Sequence, residues 1–157
     1  MTRSASPAVR LAVLDDAPAI GRVLHAFNVE YDMPTPSAEL FAERVRDLMT
    51  TGDTKVLLTG DAPDGLALLR LRPSLYSRAA EAYLAELYVV PELRGRGLGG
   101  ALLDAAIALA RREGADRIEL GTSEDDVAAR ALYESRGFIN REGGPDGPVM
   151  YVYEREF

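Results

Sequence analysis

The stretch whose reading decides the fold is YLAELYVVPELRGRGLGGALL, residues 83–103. Tyr83 to Val90 is rich in β-branched and aromatic residues and reads as a strand. Pro91 ends it by removing a ladder donor. Arg94 to Gly100 is glycine-rich with two arginines, and a helix opens directly after it. A turn of this composition feeding a helix start leaves backbone N–H groups unpaired and facing outward. The helix dipole adds partial positive charge at the same place. That combination is an anion site, with phosphate the preferred occupant. Gly97 and Gly99 let a phosphate approach the main chain with no Cβ in the way. Arg94 and Arg96 offer planar forks for charge-assisted hydrogen bonds.

A dinucleotide fingerprint competes for the same glycines: Gly95-x-Gly97-x-x-Gly100, with Glu119 placed downstream as a ribose acid would be. Three features count against it. Pro91 to Arg94 separate the strand end from the first glycine, which that fold keeps adjacent. The motif lies past the middle of the chain, with room for one parallel crossover but not two mononucleotide halves. Glu119 also falls inside an apolar strand pattern. No Gly-Lys-Ser/Thr follows, which excludes a P-loop NTPase.

Outward from the motif, 157 residues fit one domain, 1–157, with an ordinary core. Met1 to Arg10 has no apolar stretch of the kind a signal peptide carries, and the most apolar helix, Ala101 to Ala110, is short and interrupted by Asp104. A cytoplasmic protein with no membrane contact is the expectation. With no cysteine and His25 as the one histidine, a disulfide framework, a Cys nucleophile and Cys- or His-built metal sites are excluded, so no metal is expected. A net charge of −7 argues against nucleic acid as a partner.

In chain order, Val9 to Val13 reads as a strand. Asp15-Asp16 with Pro18 marks a helix start whose apolar stripe is Ile20, Val23, Leu24, Phe27 and Tyr31. His25 flanks that stripe. A second helix follows from Ser37, with Leu40, Phe41, Val45, Leu48 and Met49 on its apolar face. Lys55 to Thr59 and Leu66 to Leu71 form a hairpin, and Arg72 to Arg78 is a loop before the central strand. After the helix Gly97 to Glu113 come a strand at Ile118 to Thr122, parallel to the central one, and a helix opened by Ser123-x-x-Asp126 that ends at Gly137. Phe138 to Asn140 and Val149 to Tyr153 are the last two strands. The order is β-α-α-β-β-β-α-β-α-β-β.

Two motifs carry a resemblance. Arg94-x-x-Gly97-x-Gly99, after a strand ending Leu87-Tyr88-Val89 and a proline, looks like the acyl-CoA motif of the GNAT acyltransferase superfamily. Ala129-x-x-Leu132-Tyr133-Glu134-x-x-Gly137-Phe138 resembles its second motif, in the right order and at the usual distance. The element order is similar to the GNAT fold, an α/β (α+β) architecture with a mixed, mostly antiparallel sheet and helices on both faces.

The resemblance implies an N-acetyltransferase that moves an acetyl group from acetyl-CoA to a primary amine of a small molecule or peptide, by direct attack in a ternary complex. The alternative is a non-catalytic acyl-CoA sensor domain. The amides of Arg94, Gly95, Arg96, Gly97, Leu98, Gly99 and Gly100 would hold the diphosphate. The main chain of Leu87, Tyr88 and Val89 would pair with pantetheine where the central strand splays from Arg117 to Thr122. A backbone N–H near Tyr88 or Val89 would steady the oxyanion, and Ala129 would face the cofactor. Tyr133 matches the family tyrosine that protonates the leaving sulfur, chemistry suited to a phenol of pKa about 10. Asp126 stands where the family commonly has asparagine. An ionised aspartate accepts only, so it cannot donate an amide N–H to the cofactor as that asparagine would.

Glu86, a carboxylate in an apolar strand, needs a partner or a cleft. It is the candidate general base, directly or through water, with a salt bridge to an arginine as the competing reading. The family takes acceptor specificity from the first two helices and flanking loops. Here those offer Asn28, Glu30, Tyr31 and Asp32, with the 72–78 loop opposite; Glu30 and Asp32 beside Tyr31 would receive a cationic amine, with a solvated helix end as the competing reading. Homodimers are common in the family, although no apolar stripe here demonstrates one.

Overall fold

The computed structural model describes residues 8–60 and 62–157. The chain divides into two compact units, Met1–Leu120 and Gly121–Phe157. The first holds a five-stranded sheet in the order β1-β2-β3-β4-β5. Its elements are β1 (Val9–Leu11), α1 (Ala17–Glu30), α2 (Ala38–Thr51), β2 (Thr54–Thr59), β3 (Gly65–Pro73), β4 (Ala80–Val89), α3 (Leu98–Arg112) and β5 (Ala115–Glu119). The first three pairings are antiparallel and β4–β5 is parallel, the geometry a crossover helix imposes.

Local chemistry explains the helix ends. Ser37 caps α2 by accepting from the Leu40 amide at 3.1 Å, and Gly52 closes it in the left-handed region at φ 86°. Asp16, just ahead of α1, receives both Nη groups of Arg10 at 2.8 Å and the Val13 amide at 2.8 Å. Alternation along the strands then builds two layers. Val56, Leu58, Leu66, Leu68 and Tyr88 face Ile20, Val23 and Leu24 of α1 and Val45 of α2. Leu57, Ala67 and Leu69 alternate to the other face, over which α3 packs with Leu102, Leu103, Ala106 and Leu109 buried. Each fully buried leucine contributes roughly 1.5–3 kcal/mol of burial. Gly21 lets α1 and α2 close on each other, since a Cβ there would overlap the Ala38 carbonyl oxygen and the Ala42 amide nitrogen.

The second unit contains α4 (Val127–Glu134). The two strands expected at 138–140 and 149–153 do not form among the described residues. The segments meet only at an isolated bridge, Arg141↔Val149, flanked by Met150 N–H to Asn140 O at 2.8 Å and Glu142 N–H to Pro148 O at 2.9 Å. Gly143 and Gly144 at positive φ, and Pro145 and Pro148 without donors, curl the connection and cut the ladder short. The order is therefore β-α-α-β-β-β-α-β-α. β5 also begins and ends earlier than expected, at 115–119, because its partners in β4 are Ala80 to Tyr83. Among the described residues no helix is long and apolar enough to cross a membrane.

Candidate active site

The site starts with an irregularity in β4. Leu68 pairs with Glu86 and Leu69 with Leu84, so Ala85 is an extra residue in the strand, a β-bulge. Such a bulge bends its strand and sharpens the twist. Parallel pairing to β5 reaches only Tyr83↔Glu119, and beyond it the β5-side edge of Leu84 to Val89 has no strand partner among the described residues. Arg72 ties down the paired half, bonding Glu81 at 2.9 Å and Glu119 at 2.7 Å. That edge of unpaired main chain is where an extended ligand can add like a strand.

β4 runs into a single 3₁₀ turn, Pro91–Leu93, whose bonds are Leu93 N–H to Val90 O at 3.1 Å and Arg94 N–H to Pro91 O at 3.3 Å. Gly95 (φ 73°) and Gly97 (φ 81°) then take left-handed conformations, and Gly97 is the N-cap of α3 without any side-chain cap. The next amide to find a backbone acceptor is that of Ala101, bonded to Gly97 O at 3.0 Å. From Gly95 to Gly100 no amide has an acceptor among the described residues. Residues 94–97 are exposed, Leu98 and Gly99 half-buried and Gly100 buried, so the outer donors of this row face solvent at the positive end of a fifteen-residue helix.

The two arginines of the turn behave differently. Arg96 has no ion-pair partner among the described residues. Arg94, expected to clasp phosphate, is committed elsewhere: its two Nη groups meet Glu30 Oε1 and Oε2 at 2.7 and 2.9 Å, and its Nε donates to Val89 O at 2.9 Å. Glu30, expected to receive a cationic amine, is thus already charge-paired, and it also accepts from the Tyr88 hydroxyl at 2.6 Å. Burial, and then the Glu30 carboxylate, push the Tyr88 phenol up to about 12. Phe27 stacks on Tyr88 at 4.6 Å and Tyr31 meets Phe27 edge-on at 5.3 Å. Asn28 donates to Thr35 Oγ1 at 3.3 Å, inside the α1–α2 connection. His25 Nδ1 lies 2.9 Å from Pro36 O in the same connection.

Glu86 is half-buried on the face shared with Leu68 and Tyr88. Among the described residues its carboxylate has no hydrogen-bond or ion-pair partner, which removes the arginine salt bridge as its explanation. Burial raises its pKa. A carboxylate held this way takes a proton more readily than a solvated one and has kept its lone pairs free.

In the second unit Asp126 caps α4, its Oδ1 accepting from the Ala129 amide at 3.1 Å. The Ala129 amide is thereby paired within the cap, while one Asp126 oxygen takes no part in it. Tyr133 lies two turns on along the same face, half-buried, its ring against Phe138 at 6.0 Å. Burial, and then the charge of Asp126, raise its pKa, so the phenol keeps its proton beyond the ordinary range.

Sequence comparison places these features in a family. The profile of the "Acetyltransferase (GNAT) family" matches residues 22–138. This chain belongs to the GNAT family. A crystal structure from Arthrobacter sp. FB24, a proposed acetyltransferase, superposes with a TM-score of 0.88 at 38% identity, over 99% of this chain and 100% of that one. Mycothiol acetyltransferase of Beutenbergia cavernae is 40% identical over 99 residues, 60% of this chain but 32% of its own. The chain thus spans about a third of that relative. The uncharacterized N-acetyltransferase YhfO of Bacillus subtilis is 28% identical over 86% of this chain and 91% of its own.

GNAT acetyltransferases use acetyl-CoA, and the donor set fits it. The free amides of 95–100 suit a diphosphate, and the open β4 edge suits the amide-bearing pantetheine arm. Sequence reasoning missed the Arg94–Glu30 pair and the Ala85 bulge. Neither has a local signal: one joins residues 64 positions apart, the other is a property of strand register.

Proposed function

We propose that this GNAT chain, working as a single domain in the cytoplasm, moves an acetyl group from acetyl-CoA to a primary amine of a small molecule or peptide by direct attack in a ternary complex. The observation that supports the reading best is the run of acceptor-less amides from Gly95 to Gly100 at the uncapped start of α3, beside an open strand edge. Those amides take the diphosphate. The β4 main chain from Leu87 to Val89 aligns the arm, and a backbone N–H near Tyr88 or Val89 steadies charge building on the thioester oxygen. Glu86 removes a proton from the attacking ammonium, directly or through one water, for which an unpartnered carboxylate with a raised pKa is suited. Tyr133 returns a proton to the departing sulfur, a role consistent with a phenol kept neutral by burial. Asn28 and Tyr31 remain the acceptor-side candidates.

The test is release of free thiol from acetyl-CoA across a panel of amines: aminoglycosides, polyamines, amino acids, and peptides with free N-termini or lysines. Turnover on one class supports the reading and names the acceptor. Coenzyme A binding with no turnover on any amine overturns it in favour of a sensor domain.

A further inference from the structure

One side-chain cluster joins the end of α1 to the start of the glycine turn, and no step of the transfer chemistry uses it. Glu30 is the last residue of α1 and Arg94 the first of the turn. Their pairing is fork on fork, at 2.7 and 2.9 Å, the arrangement with most directional definition. Arg94 Nε reaches back over the Pro91–Leu93 turn to Val89 O, so one guanidinium closes the bend between strand and turn. Tyr88 completes it, donating to Glu30 Oε2 at 2.6 Å while its ring lies beneath Arg94, 5.4 Å from Cζ, and against Phe27 at 4.6 Å. The Glu30 side chain keeps 26% of its exposure, so the pair sits at the protein surface but is not loose in solvent.

We propose that Glu30 is a positioning residue for the coenzyme. It pins Arg94 across the Val89–Arg94 bend and so keeps the amides of 95–100 presented to the diphosphate. Neither its carboxylate nor the Arg94 fork is a direct ligand of amine or phosphate. This rests on the reading of the turn as the coenzyme A site. It also separates two groups that sequence alone would assign to opposite substrates: both act on one, and they act together.

The experiment measures the Kd of coenzyme A and of pantetheine, which lacks the diphosphate, together with KM for the best amine. The proteins are wild type, Glu30→Gln, Arg94→Gln and the double variant. Expected is a loss of coenzyme A affinity of about tenfold in each single variant, no further loss in the double, and unchanged pantetheine binding and amine KM. That non-additivity marks one shared device. Tyr88→Phe, which removes one bond and keeps the ring stack, is the variant to use if Glu30→Gln does not fold, with a smaller loss in the same direction. Unchanged or tighter coenzyme A binding in Glu30→Gln overturns the clamp, because a fork freed to reach phosphate would gain affinity. A rise in amine KM alone also overturns it. A wild-type chain that binds no coenzyme A overturns the site reading and the clamp with it, whereas wild-type binding that Glu30→Gln leaves untouched overturns the clamp alone.

Discussion

Burial raises the Glu86 carboxyl above its ordinary value of 4.5, with no partner among the described residues to offset the cost. The folded chain therefore binds that proton more tightly than the unfolded chain does. The sign follows: its stabilising contribution is present below 4.5 and is lost as pH rises through the raised folded value. At neutral pH the ionised side chain is a liability to folding. Glu86→Gln should accordingly raise Tm at pH 7, by about 2–4 °C for each 1 kcal/mol relieved, with the gain shrinking towards pH 4. Activity should move the other way. A base works only when ionised, so the acid-side limb of the wild-type pH–rate profile should lie above the range of an ordinary glutamate. Glu86→Gln should abolish that limb and lower kcat by about 10²–10⁴-fold. A limb that persists unchanged in the variant moves the base to another group. Tyr133 makes the complementary case, its pKa raised by burial and then by Asp126. Tyr133→Phe should lower kcat by about a hundredfold or more while leaving the Kd of coenzyme A within about twofold, read by steady-state kinetics and calorimetry. Equal losses in both would make it a packing residue.

At the scale of elements, the turn and the caps depend on glycines whose φ the structure fixes. Gly97 opens α3 at φ 81° and Gly52 closes α2 at φ 86°, and in both a Cβ would meet nothing within 4 Å. Alanine at either position should therefore cost the same backbone strain, about 1–2 kcal/mol. Only Gly97→Ala should also weaken coenzyme A binding, because only there does the Cβ enter a row of open amides. Thermal melts and titrations on the pair separate strain from ligand approach; matched affinities would take Gly97 out of the coenzyme site. Elements governed by neighbouring residues were legible in the chain: the β2–β3 hairpin, the start of α2 at Ser37, the turn before α3. Glu86 was legible because it breaks an apolar run. What sequence did not carry depends on register and distance. The bulge at Ala85 exists only relative to β3, the span of β5 follows from where β4 offers partners, and the strands expected at 138–140 and 149–153 reduce to one bridge.

At the scale of the whole chain, order in the short helix of the second unit bears on the chemistry. Taken by itself, its one helix, α4, has eight residues. An isolated helix of that length is marginal in water. Its capping bond, Asp126 to the Ala129 amide, and the Tyr133–Phe138 contact give local preference but little cooperativity. The proposed acid Tyr133 stands on that helix, so acetyl-CoA bound as proposed should order α4 further. Hydrogen exchange reads this directly. Without cofactor the amides of 127–134 should exchange far faster than those of α3, whose Leu102, Leu103, Ala106 and Leu109 are buried. With coenzyme A at 100 times its Kd, states that bind it gain about 2.7 kcal/mol. Protection should then rise both at 95–100 and across α4. Protection confined to 95–100 would leave the diphosphate site standing and remove α4 and Tyr133 from the cofactor's reach.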